Sequence, residues 1–262
     1  MKIIVCMKQV PATQQVEIDP DTGNLRRGSA GTRTNPYDLA ALEMALRLRD
    51  QMGGTVTVLS MGPKSAETMV RDAYLMGADD AVILSDGKFA GSDVLATSYA
   101  LSQGVKLLGR ADLILCGRQT TDGDTAQVGP ALAEHLHIPH AAWVAAVEAV
   151  DEKGVTIRQD FGTVTQRSKL SFPCLLTVEQ SSCVPRLPSY RRKAAAANKE
   201  VRFVGFSQLP SPDLSRCGSV GSPTFVERIF APPAKDSQRY ITGDADAQAD
   251  ALFDLLVSKK YV

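Results

Sequence analysis

The chain has 262 residues and equal numbers of basic and acidic side chains, 29 Lys plus Arg against 29 Asp plus Glu. This length allows a substantial core, and the balanced charge gives no reason to expect binding to nucleic acid or to an acidic lipid surface. The sequence has no apolar run of the roughly 18 residues that a membrane span needs, and its N-terminus does not resemble a signal peptide. We therefore predict a cytoplasmic protein without a membrane span.

Apolar runs typical of buried strands alternate with helical patterns through the first half of the chain. Asn35-Pro36 and Gly53-Gly54 are start and stop signals for the first helix. The order of elements predicts an α/β, Rossmann-like fold, in which helices cover both faces of a parallel sheet. The predicted strands are residues 3–6, 56–59, 81–84 and 113–116, and the predicted helices are residues 37–52, 64–76, 92–108 and 129–137.

After the last of these helices the pattern changes. Residues 144–168 are typical of antiparallel strands around a Glu-Lys-Gly turn, and residues 172–179 of a buried strand. Residues 180–199 are polar, basic and interrupted by proline, residues 200–234 are rich in proline, and a helix is predicted over residues 247–258. Since this last third could hardly bury a core of its own, we expect either an arm that packs on another protein or an extension folded back on the same domain.

The five cysteines are odd in number and lie mostly in apolar, strand-like sequence. We interpret them as buried, reduced thiols and not as a disulfide framework. His135 and His137 lie two residues apart at a helix end and so face different directions. Because no Cys or acidic residue stands at ligand spacing from them, we predict no metal site.

The most informative segment follows the strand at residues 113–116. A loop of small and polar residues begins at Gly117 and leads into the helix at residues 129–137. Such a loop can offer backbone N–H groups and a helix dipole to an anion. It has neither the Lys-Ser/Thr pair of a P-loop nor G-x-G-x-x-G spacing. It is therefore either a nucleotide-binding loop or an ordinary strand-to-helix turn with Asp and Thr as helix caps.

Residues 117–136, GRQTTDGDTAQVGPALAEHL, resemble the nucleotide-binding loop in the beta subunit of electron transfer flavoproteins, particularly in the bacterial, electron-bifurcating branch. The resemblance covers nearly the whole chain, and its specificity lies in the ordered set of matching stretches. The others are MKIIVCMKQVP at 1–11, TNPYDLAALEMALRLRD at 34–50, VTVLSMGP at 56–63, RDAYLMGADDAVILSD at 71–86 and GSPTFVERIFAPP at 221–233.

The resemblance implies an adenine-nucleotide-binding core over residues 1–180, a partner recognition loop over residues 181–199 and a C-terminal arm over residues 200–262 that packs on an alpha subunit. In this family the beta site holds AMP in mitochondrial-type members and FAD in bifurcating ones. The stretch DGDTAQVGP is similar to the bifurcating pattern, so we expect FAD, with AMP as the alternative. The family then implies that electrons pass from NADH to the alpha-subunit FAD and to ferredoxin or flavodoxin, serving an acyl-CoA dehydrogenase. The flavin would supply the chemistry, so we expect no catalytic residue in this chain.

The expected cofactor site gathers the ends of three strands, which meet at one edge of a parallel sheet. Backbone N–H groups of residues 124–128 and the Thr125 hydroxyl are expected to hold the pyrophosphate. Asn35 or Asp122 is expected to bind the ribose or the adenine. Asp93 and Thr97 either approach the flavin ring or belong to a simple helix cap. The full expected cofactor-binding set is Cys6, Met7, Asn35, Met61, Gly62, Gly117, Asp122, Gly123, Asp124, Thr125, Ala126, Gln127 and Val128.

The recognition loop contains an isolated leucine, Leu187, in basic and proline-bounded sequence. In the family, the leucine of this loop anchors in an apolar pocket of the acyl-CoA dehydrogenase, and basic residues surround it. Arg191, Arg192 and Lys193 lie where mitochondrial-type members have lysines, so the resemblance implies that they and Leu187 bind the partner. A basic run is otherwise typical of a solvated helix face.

Two other classes of nucleotide-binding α/β protein fit less well. A regulatory protein of the universal-stress type is expected to end near residue 150 and to carry a Gly-rich phosphate loop, whereas this chain continues to Val262. An adenylating ATP pyrophosphatase is expected to have a Ser-Gly-Gly-x-Asp-Ser-type loop after the first strand. This chain has Lys8-Gln9-Val10-Pro11 there.

Overall fold

A computed structural model describes residues 1–12, 31–227 and 240–262. The chain divides into two compact units, Met1–Glu227 and Arg228–Val262. Part of the matching stretch at residues 221–233 and part of the predicted arm lie outside the described residues. No helix in the described ranges is both long and apolar enough to cross a lipid bilayer.

The first unit is built on a nine-stranded sheet with the order β11-β5-β4-β1-β6-β10-β7-β8-β9. All neighbours from β11 to β7 are parallel, and β8 and β9 continue the sheet in antiparallel pairs. A separate antiparallel pair joins β2 to β3. The strands are β1 (Lys2–Cys6), β2 (Gln9–Pro11), β3 (Thr32–Thr34), β4 (Thr55–Met61), β5 (Asp80–Leu84), β6 (Leu113–Gly117), β7 (His140–Val150), β8 (Gly154–Asp160), β9 (Thr165–Ser171), β10 (Cys174–Val178) and β11 (Arg202–Val204).

Helices cover both faces of this sheet, which confirms the predicted α/β architecture. One face packs against α1 and α2 through residues such as Ile3 and Val5 of β1, and the other packs against α3 and α4 through Ile4 and Cys6. Both faces of β1 are thus buried, as its continuous apolar run predicts. In the described residues the helices are α1 (Pro36–Met52), α2 (Glu67–Met76), α3 (Val94–Leu108), α4 (Val128–Leu136), α5 (Tyr190–Ala196) and α6 (Ala245–Ser258).

The order of the strands creates a switch point beside β1. From β1 the chain moves outward through β4 to β5, and it then returns to form β6 on the opposite side of β1. The loops that follow β1 and β6 therefore diverge and leave a crevice at the carboxyl ends of these two strands. In open α/β sheets this is where ligands bind.

The strand predicted at residues 172–179 is β10, and all its residues are buried. It does not extend the sheet beyond the antiparallel strands that precede it in the chain, but inserts between β6 and β7. The apolar sequence CLLTV suits this central place, because a strand with parallel neighbours and packed faces has no side exposed to water.

The first part of the predicted C-terminal arm packs on the core. Strand β11 pairs with β5 at the edge of the sheet, and Phe206, Leu209 and Cys217 are buried in the cluster that contains α3. Residues 202–217 thus contribute to the core of the first unit. The packing of the arm on an alpha subunit stays a prediction. In the second unit, α6 begins at an Asp244 cap and exposes Leu252, Phe253 and Val257.

Candidate nucleotide-binding site

The candidate site lies at the switch point, where the residues that follow β1 and β6 come together. The two strands run in register up to Cys6 opposite Cys116. Beyond them, Lys8 and Gly117 both donate backbone hydrogen bonds to one side chain, that of Asp38 in the first turn of α1. The structure thus brings the predicted residues Cys6, Met7 and Gly117 together.

Asp38 is buried and connects the two strand ends. Its Oδ2 accepts the Lys8 N–H at 2.7 Å and its Oδ1 accepts the Gly117 N–H at 3.2 Å. Burial raises the pKa of Asp38 to about 7, although the hydrogen bonds from Lys8, Asn35 and Gly117 work in the opposite direction. The approach is so close that a Cβ on Gly117 would lie 2.4 Å from Oδ1, so only glycine fits. The sequence pattern does not single out Asp38; its local signal is an acidic residue in the first turn of the helix that begins at Pro36.

Asn35, immediately before α1, forms a hydrogen bond to the loop that follows β6. It is fully buried, its Nδ2 donates to the Gln119 carbonyl at 2.8 Å, and its backbone N–H donates to the Lys8 carbonyl at 3.0 Å. Its Oδ1 has no partner among the described residues. The Ser60 hydroxyl, near the end of β4, is likewise buried without a partner in the described ranges.

These unpaired atoms test the fit of an adenine nucleotide. A buried polar atom without a hydrogen bond costs free energy, and a ribose or an adenine offers the donors and acceptors that would remove this cost. Met61 and Gly62 follow Ser60 directly, and a Cβ on Gly62 would find only Ala66 Cβ, at 3.7 Å. The residues at the end of β4 therefore fit a bound nucleoside.

The loop before α4 presents unused backbone N–H groups. Asp124 and Ala126 have left-handed backbones, with φ of 52° and 55°, which is uncommon for residues other than glycine and is often found at functional sites. Helix α4 begins after Gln127 without a side-chain cap. Among the described residues, no acceptor is found for the N–H groups of Thr125, Ala126 and Gln127. An uncapped helix start with free N–H groups before it suits a phosphate.

Side-chain contacts fix the first half of this loop. The Lys8 ammonium pairs with the Asp122 carboxylate at 2.6 Å. Burial opposes the charge of Asp122, but hydrogen bonds from Lys8 and Thr120 outweigh it and lower the pKa of this carboxyl. Gln119 donates to Asp124. Lys8 thus places a positive charge beside the candidate phosphate position.

Comparison with known proteins decides the family. Residues 22–207 match the electron transfer flavoprotein domain. The chain is 42% identical to Protein FixA of Bradyrhizobium diazoefficiens, over 98% of this chain and 91% of that protein.

The same relationship holds for two proteins described as electron transfer flavoprotein subunit beta. That of Clostridium acetobutylicum is 40% identical and that of Megasphaera elsdenii 38% identical, each over the full length of both chains. The chain belongs to the electron transfer flavoprotein family. Its full-length match to named beta subunits confirms the resemblance found in the sequence and sets aside the two other classes of nucleotide-binding protein.

In this electron transfer flavoprotein subunit, Asp93 caps α3. Its carboxylate accepts the Ala96 N–H at 3.1 Å and the Thr224 hydroxyl at 2.8 Å. Both oxygens are therefore engaged within the chain, as the capping interpretation expects. Thr97 lies within the first turns of the same helix. The approach of Asp93 and Thr97 to a flavin ring stays a prediction.

The predicted recognition loop, residues 181–199, exposes apolar side chains on either side of a residue that is bonded to α1. Leu187 is 85% exposed, and Val184 and Tyr190 are 82% and 87% exposed. Between them, Arg186 donates from its backbone N–H and its Nε to Glu43 Oε2, at 3.1 and 2.8 Å. The Glu43 side chain is only 5% exposed, so this pair anchors the loop to α1.

The basic residues of the loop differ in their surroundings. Arg192 donates to the Met76 carbonyl at the end of α2, at 2.8 Å, and so helps to close that helix. Arg191 and Lys193 are exposed. A shallow cavity of about 240 Å³ lies beside Tyr190 and Lys193 and is also lined by Leu75. Of the three predicted partner-binding cations, Arg191 and Lys193 are thus available to solvent, while Arg192 has a structural contact.

Proposed function

We propose that this chain is the nucleotide-binding subunit of a heterodimeric electron transfer flavoprotein, paired with an alpha subunit, and that it holds FAD at the crevice between β1 and β6. The observation that carries the proposal is the run of N–H groups at Thr125, Ala126 and Gln127 that have no acceptor among the described residues, ahead of an uncapped helix at the switch point. The family match supports the association with a flavin.

The residues of the crevice suggest how a dinucleotide would be held. The N–H groups of residues 125–127 and the start of α4 would bind the pyrophosphate, and the Thr125 hydroxyl would add a donor. The Lys8 ammonium lies close enough to the loop to share its charge between Asp122 and a phosphate. Asn35 Oδ1 and the Ser60 hydroxyl would pair with the ribose or the adenine.

AMP is the alternative ligand, because its adenosine and phosphate would use the same groups. FAD is favoured by the stretch DGDTAQVGP, which is similar to the bifurcating pattern. Bound FAD would accept a hydride from NADH and deliver electrons separately to the alpha-subunit FAD and to ferredoxin or flavodoxin. The protein would contribute position and local electrostatics.

The partner of the recognition loop is proposed to be an acyl-CoA dehydrogenase. Leu187 is an exposed apolar side chain with Arg191 and Lys193 nearby in the chain. Burial of the leucine would supply affinity, and the two cations would steer an acidic partner. The arm is proposed to pack on the alpha subunit, which would cover the apolar side chains that α6 exposes.

Nucleotide extraction from the co-expressed heterodimer tests the proposal. Two FAD per heterodimer is the expected result, together with reduction of one of them by NADH. One FAD and one AMP per heterodimer would instead support the alternative, a non-bifurcating subunit that binds AMP. A heterodimer with a single FAD and no second nucleotide would refute the site in this chain.

A further inference from the structure

Asp38 is the third residue of α1, a position from which an acidic side chain often caps the start of its own helix. In the first turn of a helix, the third residue often accepts a hydrogen bond from the N–H of the capping residue. Here the Asn35 N–H donates to the Lys8 carbonyl instead, and Asp38 accepts hydrogen bonds from two different strand ends. The carboxylate therefore does not cap α1.

The two N–H groups that Asp38 accepts lie where the β1–β6 ladder stops. The last paired residues are Cys6 and Cys116, and the chains diverge beyond them. Gly117 and Lys8 follow directly after this point. A single buried carboxylate, with two oxygens free to accept, satisfies both donors and fixes the distance between the two strand ends.

The hydrogen bonds of Asp38 to Gly117 and Lys8 also restrain the proposed anion-binding loop over residues 117–127. Gly117 is the residue from which the loop begins, and Lys8 carries the ammonium that pairs with Asp122 at 2.6 Å. Asn35, three residues before Asp38, holds the Gln119 carbonyl. The first half of the loop is thus attached to the start of α1 on both sides.

We propose that Asp38 is a positioning residue for the nucleotide: it holds the ends of β1 and β6 so that the loop over residues 117–127 and the Lys8 ammonium are in place before the ligand binds. This inference rests on the proposed nucleotide site. Asp38 itself need not touch the nucleotide, because its effect passes through Gly117 and Lys8. Preorganised N–H groups bind an anion without the cost of ordering the loop.

Replacement by asparagine tests the need for two acceptor oxygens. The side-chain amide of an asparagine has one oxygen and one NH2 group, so the variant can accept from only one of the two strand ends and turns a donor toward the other. We expect Asp38→Asn to weaken the binding of added FAD or AMP by roughly ten-fold, the equivalent of one hydrogen-bonded contact. The titration uses the stripped heterodimer at about pH 8, where the parent carboxyl is charged.

Asp112 provides a matched control at the opposite end of the same two strands, β1 and β6. Its side chain accepts the Lys2 N–H at 2.7 Å, so it also joins the start of β6 to β1, but far from the loop. Asp112→Asn should leave nucleotide affinity unchanged. Equal losses of affinity in Asp38→Asn and Asp112→Asn would overturn the inference.

Hydrogen exchange distinguishes positioning from general stability. In the stripped Asp38→Asn heterodimer, the hydrogen-bonded amides of residues 118–124 should exchange faster, while those of β1, β4 and residues 113–116 of β6 keep the parent rate. Faster exchange throughout the sheet, or unchanged exchange in the loop, would refute a positioning role.

A second variant keeps the test available if Asp38→Asn does not fold. Lys8→Met cuts only the exposed link to Asp122, and it should also raise exchange of the hydrogen-bonded amides of residues 118–124 in the ligand-free protein. A loop that exchanges at the parent rate in Lys8→Met contradicts the proposed route. A parent heterodimer that binds neither FAD nor AMP in this subunit would refute the proposed function itself.

Discussion

The hydrogen bonds between Glu43 and Arg186, which attach the predicted recognition loop to α1, give a prediction whose size can be worked out from the structure. In Arg186→Met the side chain keeps an apolar stem of similar length but loses the guanidinium hydrogen bonds to Glu43 and Asp50. The backbone N–H of residue 186 can still donate to Glu43. Removing one partner of a fully buried ion pair costs about 3–5 kcal/mol. Here the cost should be lower, about 2–3 kcal/mol, because Arg47 still donates to Glu43 at 2.8 Å and Arg186 is itself about a quarter exposed.

The assay is thermal unfolding of the heterodimer. At about 2–4 °C per kcal/mol for a chain of this size, the Tm should fall by roughly 4–12 °C. Burial opposes the charge of Glu43, but hydrogen bonds from Arg186 and Arg47 lower its pKa below the ordinary value of 4.5. A carboxyl whose pKa is lowered in the folded state stabilises the fold when the pH is above its pKa in the unfolded chain. This stabilisation is lost as the pH falls through its pKa in the folded state. The Tm difference between parent and variant should therefore shrink below about pH 4.5.

Arg191→Met is the matched control, because Arg191 is exposed and forms no ion pair with any described residue. It should leave Tm within about 2 °C of the parent. Arg186→Met should also slow electron transfer to the dehydrogenase, since a loose loop must be ordered on docking, while NADH reduction of the flavin stays unchanged. If Arg186→Met and Arg191→Met lower Tm equally, the ion pair does not anchor the loop.

Three further predictions concern the site and the loop. Leu187→Ala should weaken docking to the dehydrogenase by about 1–3 kcal/mol without loss of flavin. If the variant docks with the same affinity as the parent, Leu187 is not an anchor. Gly117→Ala should release nucleotide on desalting because its Cβ would lie 2.4 Å from Asp38 Oδ1, whereas Gly87→Ala, whose Cβ would meet no described atom within 4 Å, should retain it; equal retention contradicts the packing argument. Burial raises the pKa of Asp38 from 3.8 to about 7, so the protonated carboxyl stabilises the fold relative to the charged one. This stabilisation is full below pH 3.8 and is lost as pH rises through about 7, so the Tm of the parent relative to Asp38→Asn should fall over that interval. A Tm difference that does not change with pH would refute this expectation.

The elements of the fold could be read from local sequence. Helix α1 begins at Pro36 and ends before Gly53, as its start and stop signals predict, and the apolar run of β1 is buried on both faces. These features depend on hydrophobic period, on the fixed φ of proline and on the conformational freedom of glycine, all of which act within a few residues. The antiparallel strands after residue 140 were visible for the same reason.

The candidate site was predicted in part. The loop after β6 could be found because small and polar residues between a strand and a helix are a local pattern. Asp38 could not, since its partners Lys8 and Gly117 lie 30 and 79 residues away and nothing near Asp38 in the chain shows that a strand end will approach it. The pairing of Arg186 with Glu43 leaves no local pattern for the same reason, because the two residues lie 143 positions apart.

The sequence by itself determined the alternation of strands and helices, the position of the small, polar loop after β6 and, through its ordered resemblance, the family. Tertiary structure alone decided that β6 lies beside β1, that β10 inserts between β6 and β7, and that the crevice therefore opens at Lys8 and Gly117. Several strand orders satisfy the same apolar pattern, because each buried strand only requires two covered faces and two hydrogen-bonding neighbours. The choice among them depends on how surfaces far apart in the chain pack together, and those contacts leave no local pattern to read.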